Sequence, residues 1–227
     1  MKQDKRIRLL YGIILLLLLV IASFFARRIA VRMLQRWEYN TSYYEKRVKA
    51  FRTMQRNIGQ ILFLGDSITE GCNFKELLPF QVINRGIAGD VTFGVLNRLD
   101  EVISLRPRKL FLLIGINDIG SGIGTGAIAG NIRQIISRLH DGTPETKIYL
   151  QSLFPTRGRT ERPNSRIQEL NAELKDIAEE MNCTYIDLYP LLLIDGELGS
   201  EYTLDGLHLT GLGYNRWLDF LRPYLDE

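Results

Sequence analysis

Residues Ile61 to Thr69, with the sequence I-L-F-L-G-D-S-I-T, decide how this chain is expected to fold. Four apolar residues lead straight into Gly-Asp-Ser, which is the pattern of a buried strand that ends in a turn carrying a serine. Short apolar runs of this kind are typical of parallel strands, and ligands collect at the C-terminal ends of such strands. A turn in which Asp66 or Ser67 merely caps a helix explains the tripeptide equally well. Ser67 therefore needs partners elsewhere in the sequence before it indicates chemistry.

Downstream of Ser67, strand and helix patterns alternate at the spacing of a parallel sheet. The predicted strands cover 61–64, 81–84, 109–115, 147–153 and 184–188. The predicted helices cover 92–105, 126–140, 164–181 and 210–224. Five strands with helices between them predict an α/β protein, a three-layer α/β/α sandwich with a five-stranded parallel sheet. A flavodoxin-like order 2-1-3-4-5 would place strands 1 and 3 side by side, so that their loops face each other.

The composition fits one substantial globular core and excludes several classes of protein. The chain has 227 residues, of which 45% are hydrophobic and 24% are charged, so disorder is not expected. Cys72 and Cys183 lie far apart and lack the spacing of a zinc site or a disulfide framework. We expect two buried free thiols, although a single long-range bridge stays open, and we predict no metal and no cofactor.

Charge is distributed unevenly along the chain. Residues 1–26 carry a net charge of +3, residues 27–57 carry +7, and the remainder carries −7. An acidic domain next to a basic segment is not the footprint of a nucleic-acid-binding protein. The sequence therefore predicts no nucleic-acid partner, and it does not indicate an oligomeric state.

The N-terminus has the pattern of a membrane segment. Residues 9–26 form an uncharged run of eighteen residues, at the lower edge of what spans a bilayer as a helix. We predict an uncleaved single-pass anchor within residues 1–28, with a cleaved signal peptide as the competing interpretation. Basic residues flank both ends, so orientation stays open, but a short N-terminal tail is compatible with a catalytic domain outside the cytoplasm.

A basic helix is predicted to follow the anchor, over residues 29–57. Apolar residues recur in it at helical intervals among arginines and lysines. Such a helix suits an anionic lipid surface, or its apolar stripe packs on the domain that follows. The folded domain is expected to cover residues 58–227.

Two further loops are predicted to reach the crevice that holds Ser67. The loop after the second strand reads N-R-G-I-A-G-D, and its Gly89 permits the close approach of a backbone N–H. The loop after the third strand reads G-I-N-D, which places Asn117 in the same crevice. These loops supply candidate hydrogen-bond donors beside the serine.

A histidine and an aspartate stand late in the sequence, within D-G-L-H just before the last predicted helix. The chain has two histidines, and His140 ends an amphipathic helix, so His208 is the available general base. A serine hydroxyl needs such a base, and the base needs an acceptor such as Asp205 to fix its tautomer. The developing oxyanion needs donors, for which the Ser67 N–H, the Gly89 N–H and the Asn117 amide are candidates.

These blocks, in this order, resemble the GDSL, or SGNH, hydrolase superfamily. Its four blocks are matched here by Ser67, Gly89, Asn117 and His208, and the resemblance spans about residues 60–225. Further stretches, among them L-D-G-L-H-L-T-G-L-G-Y, most resemble the branch that contains the α-subunits of the intracellular platelet-activating-factor acetylhydrolases. The first block reads G-D-S-I instead of G-D-S-L, a change between two apolar residues. The resemblance implies an SGNH hydrolase domain at 58–227 that works as a metal-free serine esterase.

We therefore expect a membrane-anchored serine esterase. It would remove a short acyl group, acetyl above all, from an oxygen ester through an acyl-enzyme on Ser67, with Asp205 and His208 completing the catalytic set. The substrate would be a small molecule or an acyl ester of a carbohydrate or lipid. An SGNH-type acyltransferase that moves acetyl to a sugar is the alternative, and a non-catalytic ligand-binding module is a further one. Arg157 and Arg159 either grip an acidic group of the substrate or are solvated loop charges.

Overall fold

The computed structural model of the chain describes residues 42–54 and 58–226, together with residues 11, 13, 14, 16–18, 20–23, 25 and 27. The chain divides into two compact units, residues 1–42 and residues 43–227. In the first unit, the described residues between 11 and 27 are helical. In that part of the chain and in the rest of the described residues, no helix is both long and apolar enough to cross a membrane. The predicted anchor over 9–26 falls partly on residues outside this description, so the anchor stays a prediction, as does the helix predicted for 29–41.

The second unit is built on one parallel sheet. Its strands are β1 (Ile61–Gly65), β2 (Ile83–Gly86), β3 (Lys109–Leu113), β4 (Lys147–Gln151) and β5 (Thr184–Ile186). Their order is β2-β1-β3-β4-β5, and every neighbouring pair is parallel. Both the strand order and the orientation predicted from the sequence are confirmed. Because β1 and β3 are neighbours, the loops that leave their carboxyl ends share one edge of the sheet.

Helices cover both faces of this sheet and make the three layers. They are α1 (Ser42–Thr53), α2 (Ser67–Glu70), α3 (Phe74–Leu77), α4 (Thr92–Ser104), α5 (Ile116–Gly120), α6 (Thr125–Gly142), α7 (Asn164–Glu180) and α8 (Gly211–Asp226). Helix α6 packs between α4 and α7, as expected when right-handed crossovers place consecutive helices on one face. On the other face, the Phe63 ring contacts Phe74 of α3 and Trp217 of α8.

The apolar runs of the strands form the central layer of the core. Every residue of β1 and of β3 is buried, which is why these strands, apart from Lys109 at the start of β3, read as apolar runs and do not alternate. In register across three strands, the rings of Phe63, Phe111 and Tyr149 stack at centroid distances of 4.8 and 4.5 Å. This packed layer gives the loops at the carboxyl edge a rigid base.

The second strand lies two residues later than the sequence predicts. The prediction of 81–84 is wrong, because β2 pairs Ile83 to Gly86 with β1. Asn84 and Arg85 are polar, yet both belong to the strand and have partners on neighbouring helices: Asn84 donates to the Thr69 carbonyl on α2, and Arg85 pairs with Glu101 on α4. The structure also has a two-stranded hairpin, β6 (Leu193–Ile194) with β7 (Glu197–Leu198), that the sequence analysis missed.

Helix α1 is the part of the predicted basic helix that the structure describes, and it packs on the domain. Phe51 is buried, and the guanidinium groups of Arg47 and Arg85 lie 4.8 and 4.5 Å from the centre of its ring. The Tyr44 hydroxyl donates to the Gly94 carbonyl on α4.

The two cysteines are free; Cys72 is buried and Cys183 half-buried.

Candidate active site

Ser67 is the first residue of α2, two residues after β1 ends. Asp66 caps this short helix, because its Oδ1 accepts the Ile68 N–H at 3.0 Å. The serine side chain is therefore not needed as the cap. The helix cap and the reactive serine that Gly-Asp-Ser suggested are thus two different residues. Asp66 caps the helix, and the Ser67 hydroxyl points to a histidine.

That histidine is His208, and it lies between Ser67 and Asp205. The Ser67 Oγ is 2.9 Å from His208 Nε2, and His208 Nδ1 is 2.6 Å from Asp205 Oδ2. A proton on Nδ1 shared with Asp205 leaves Nε2 to accept from the serine hydroxyl. The three residues predicted from the sequence thus form one hydrogen-bonded chain.

A tight loop between Asp205 and His208 makes this geometry. The other carboxylate oxygen of Asp205 accepts the backbone N–H groups of Leu207 and His208, at 2.9 and 2.8 Å. Gly206 adopts a φ of 82°, which favours glycine. The D-G-L-H sequence therefore wraps its backbone around the carboxylate and leaves the second oxygen to the imidazole.

Gly89 and Asn117 lie on segments that meet beside the serine strand. Asn117 was predicted in a loop but is the second residue of the short helix α5, and its side-chain amide donates to the carbonyl of Asp90 at 2.9 Å, so α5 is joined to the loop after β2. The Ile87 N–H donates to the carbonyl of Gly65, at the end of the serine strand, at 3.1 Å. Gly89 is exposed and has a φ of 77°. Hydrogen bonds thus join the segments that carry the predicted donor residues to each other and to the end of β1.

Residues 63–216 match the GDSL-like lipase/acylhydrolase family. The chain belongs to this family. The human platelet-activating factor acetylhydrolase IB subunit alpha1 is 28% identical over 168 residues, which are 68% of this chain and 70% of that protein. A solved structure from Streptococcus pneumonia, described as a candidate platelet activating factor, is 32% identical, with a TM-score of 0.76 over 87% of this chain and 99% of that one. A candidate acylhydrolase from Bacteroides fragilis is 26% identical, with a TM-score of 0.67 over 82% of this chain and 96% of that one.

The predicted family is therefore confirmed, and the chain is a hydrolase. The matched residues contain Ser67, Gly89, Asn117, Asp205 and His208. The helices before residue 63 lie outside the residues that match the family.

In this acylhydrolase the carboxyl group of Asp205 is set up to remain ionised. Partial burial raises its pKa, but hydrogen bonds from the His208 side chain and from the backbone N–H groups of His208 and Leu207 outweigh that effect. The pKa of Asp205 is thereby held well below its ordinary range. Asp205 supplies a standing negative charge beside the imidazole, which stabilises a protonated His208 when one forms.

Two other carboxyl groups of the acylhydrolase behave in the opposite way. Burial raises the pKa of Asp66 to about 7, although the Ile68 N–H favours its ionised form. Burial also raises the pKa of Asp118 to about 7, against the hydrogen bonds from Thr92. These carboxyl groups next to Ser67 and Asn117 therefore ionise less readily than free aspartate, so they add less negative charge where an oxyanion would form.

The loop after β4 brings arginines to the same edge of the sheet, and protein groups pair with them. Arg157, one of the two arginines considered in the sequence, pairs with Glu197 on β7, with 3.2 Å between the groups. The other, Arg159, lies 3.5 Å from Asp205. Sequence reasoning missed Arg162, whose Nη2 is 3.5 Å from the Asn117 Oδ1. The contact helps to fix the Asn117 amide with its oxygen toward Arg162 and its nitrogen toward Asp90.

Proposed function

We propose that this protein is a serine esterase that hydrolyses a short acyl oxygen ester through an acyl-enzyme on Ser67. The observation that carries the proposal is the hydrogen-bonded chain from the Ser67 Oγ through His208 to Asp205, with links of 2.9 and 2.6 Å. A nucleophile, its base and the group that orients the base are the three parts that serine acyl transfer needs.

The first half of the reaction makes the acyl-enzyme. His208 Nε2 takes the proton from the Ser67 hydroxyl as the Oγ attacks the ester carbonyl carbon. The carbonyl oxygen becomes an oxyanion, for which the Ser67 N–H, the Gly89 N–H and the Asn117 amide are the proposed donors. The C–O bond to the alcohol then breaks, and His208 gives its proton to the departing alcohol oxygen.

The second half consumes water. His208 Nε2 takes a proton from a water molecule, whose oxygen attacks the acyl carbon. The bond to the Ser67 Oγ breaks, the serine recovers its proton from His208, and the free acid leaves. His208 and Asp205 side chains are 46% and 43% exposed. Solvent water can therefore reach this site.

The acyl group is proposed to be short, with acetyl as the first choice. The support comes from the relatives, because the human relative is named as a subunit of an acetylhydrolase. The alcohol part of the substrate is proposed only as a small molecule, carbohydrate or lipid. Transfer of acetyl to a sugar is the competing outcome, because a sugar hydroxyl can resolve the same acyl-enzyme.

A panel of p-nitrophenyl esters tests this function on the purified 227-residue chain. We expect kcat/KM to fall by at least about tenfold from acetate to octanoate, because a pocket for a short acyl group excludes a long one. With a sugar acceptor present, free acetate should remain the product by mass spectrometry. Acetylated sugar formed faster than free acetate would identify an acyltransferase, and ester binding without turnover would identify a binding module.

The proposal includes attachment of this chain to a membrane through residues 9–26, with the catalytic domain outside the cytoplasm. It is supported by the uncharged run and by the exposure of its described apolar side chains, such as Leu16, Leu17 and Leu18. The full chain should then stay with membranes through carbonate extraction and leave them in detergent. Added protease should reach the catalytic domain from the extracytoplasmic side only. A soluble mature chain that begins after Ala26 would show a cleaved signal instead.

A further inference from the structure

Glu70 is a carboxylate three residues after Ser67 that joins three parts of the chain. It is the last residue of α2, and its side chain is 18% exposed. Its Oε2 accepts the backbone N–H of Ala88 at 2.7 Å. Its Oε1 accepts the Tyr43 hydroxyl at 2.7 Å and lies 2.8 Å from the Arg47 Nε. One side chain thus connects the serine helix, the loop after β2 and helix α1.

The bond to Ala88 matters because Gly89 is the next residue. Gly89 has no Cβ and adopts a φ of 77°. Because a glycine backbone has weak conformational preferences, other contacts must fix the direction of its N–H. The chain therefore has to fix this loop from both sides. Beyond Gly89, Asp90 is held through its N–H, which donates to the Ile87 carbonyl at 3.0 Å, and through its carbonyl, which accepts from Asn117. Before Gly89, the Ala88 N–H is held by Glu70.

Helix α1 holds Glu70 from the other side. Tyr43 and Arg47 are four residues apart, so they lie on one face of α1. The helix itself is fixed by the buried Phe51 and by the bond from the Tyr44 hydroxyl to the Gly94 carbonyl at 2.9 Å. All of α1 lies outside residues 63–216, which carry the family match. The contact thus joins a helix outside the family match to the matched acylhydrolase core.

We propose that Glu70 is a positioning residue for the loop after β2, which carries Ala88 and Gly89, and that α1 holds Glu70 in place through Tyr43 and Arg47. A charged acceptor makes a stronger bond to a backbone N–H than a neutral one, and the arginine and the hydroxyl fix which oxygen faces Ala88. The inference rests on the proposed function, in which the Gly89 N–H receives the oxyanion. A donor that is fixed before the reaction stabilises the transition state more than one that must first be ordered.

The test compares Glu70→Ala and Glu70→Gln in the full chain, with p-nitrophenyl acetate as substrate. We expect Glu70→Ala to lower kcat by about tenfold with KM changed less than about twofold, because the lost interaction acts on the transition state. The affinity of a boronic acid, which forms a tetrahedral adduct with a serine, should fall by a similar factor. Glu70→Gln should restore part of the rate, since its amide oxygen still accepts from Ala88.

Asn117→Ala, which removes a proposed donor outright, should lower kcat by about 10² to 10³.

A double-mutant comparison tests the role of α1. Tyr43→Phe should lower kcat in the wild-type chain and have no further effect in the Glu70→Ala chain, because Tyr43 acts through Glu70. Glu180→Ala is the matched control: it removes an exposed carboxylate that is paired with Arg133 on α6, and it should leave kcat unchanged.

Two results would overturn the inference. One is a Glu70→Ala enzyme with wild-type kcat and wild-type affinity for the boronic acid. The other is a loss that follows the melting temperature and disappears when the assay is run well below it, since that indicates a structural role only. Failure of the proposed function would look different, because Ser67→Ala would then keep its activity whatever Glu70 does.

Discussion

A chain carrying Ser67→Ala is expected to lose esterase activity to below about a thousandth of the wild-type rate. The substitution removes the atom that would form the acyl-enzyme, and the His208 imidazole then has no hydroxyl to activate. Rates should be measured with p-nitrophenyl acetate at saturating substrate, because the expected loss is in kcat. Mass spectrometry of the wild-type chain with a slowly hydrolysed ester should also show an acyl adduct, and the Ser67→Ala chain should show none.

The fold should survive this substitution. Asp66, and not Ser67, caps α2, and the Ser67 hydroxyl bonds to His208 at the open edge of the sheet. The melting temperature should therefore stay close to that of wild type. Ser137→Ala is a suitable control, since Ser137 is an exposed serine in α6, and it should keep full activity. Turnover by Ser67→Ala above about a thousandth of wild type, after exclusion of contaminating enzyme, would contradict the nucleophile assignment.

The sheet was predictable because its strands are buried on both faces. Strands β1 and β3 read as apolar runs for that reason, with Lys109 at the start of β3 as the exception, and the helices between the strands show a clear apolar stripe. Alternating elements and right-handed crossovers limit the possible strand orders, and the flavodoxin-like order 2-1-3-4-5 predicted among them is the one in the structure. Strand β2 is less clear in the sequence, because Asn84 and Arg85 within it are polar. Their partners, the Thr69 carbonyl and Glu101, come from other parts of the chain, and local sequence does not reveal them.

The candidate site was predictable where one residue type defines one chemical role. His208 was found by elimination, because the chain has two histidines. Ser67 and Asp205 were found from their positions after a strand and three residues before that histidine, together with the family resemblance, and the structure brings the three residues together. The asparagine and glycine loops followed from the topology, because the carboxyl ends of neighbouring parallel strands meet at one edge. The proposed roles of Gly89 and Asn117 as donors stay predictions.

The supporting contacts were not predictable, since they depend on long side chains. Glu70 reads as a surface residue of a short helix, and Arg162 as a charge in a polar loop. Their significance comes from the partners that the fold brings near them, Ala88 in one case and Asn117 in the other. Helix α1 was predicted with two alternatives, and only its packed contacts show that Tyr43 reaches the serine helix. Sequence patterns report burial and periodicity, whereas such contacts depend on where distant segments meet.

The two histidines provide the second large expected effect. His208→Ala should lower kcat by at least about 10⁴-fold with little change in KM, because it removes the base of both half-reactions. His140→Ala should keep a rate near that of wild type. Helix α6 starts after α5, the short helix that carries Asn117, and ends at Gly142, before β4 begins. His140 in its last turn therefore lies at the amino edge of the sheet, opposite the edge that holds Ser67.

Added imidazole makes this comparison more specific than the loss of rate alone. His208 is 46% exposed, so a small base from solution can enter the space that His208→Ala leaves. We expect imidazole to restore part of the rate of His208→Ala, with a pH dependence that follows the free base, and to have no such effect on Ser67→Ala. Asp205→Ala should lower the rate less than His208→Ala does, because the base is still present but is no longer held in one tautomer. A large loss in His140→Ala, or a His208→Ala enzyme within about tenfold of wild type, would remove His208 as the base and leave Ser67 without its activating partner.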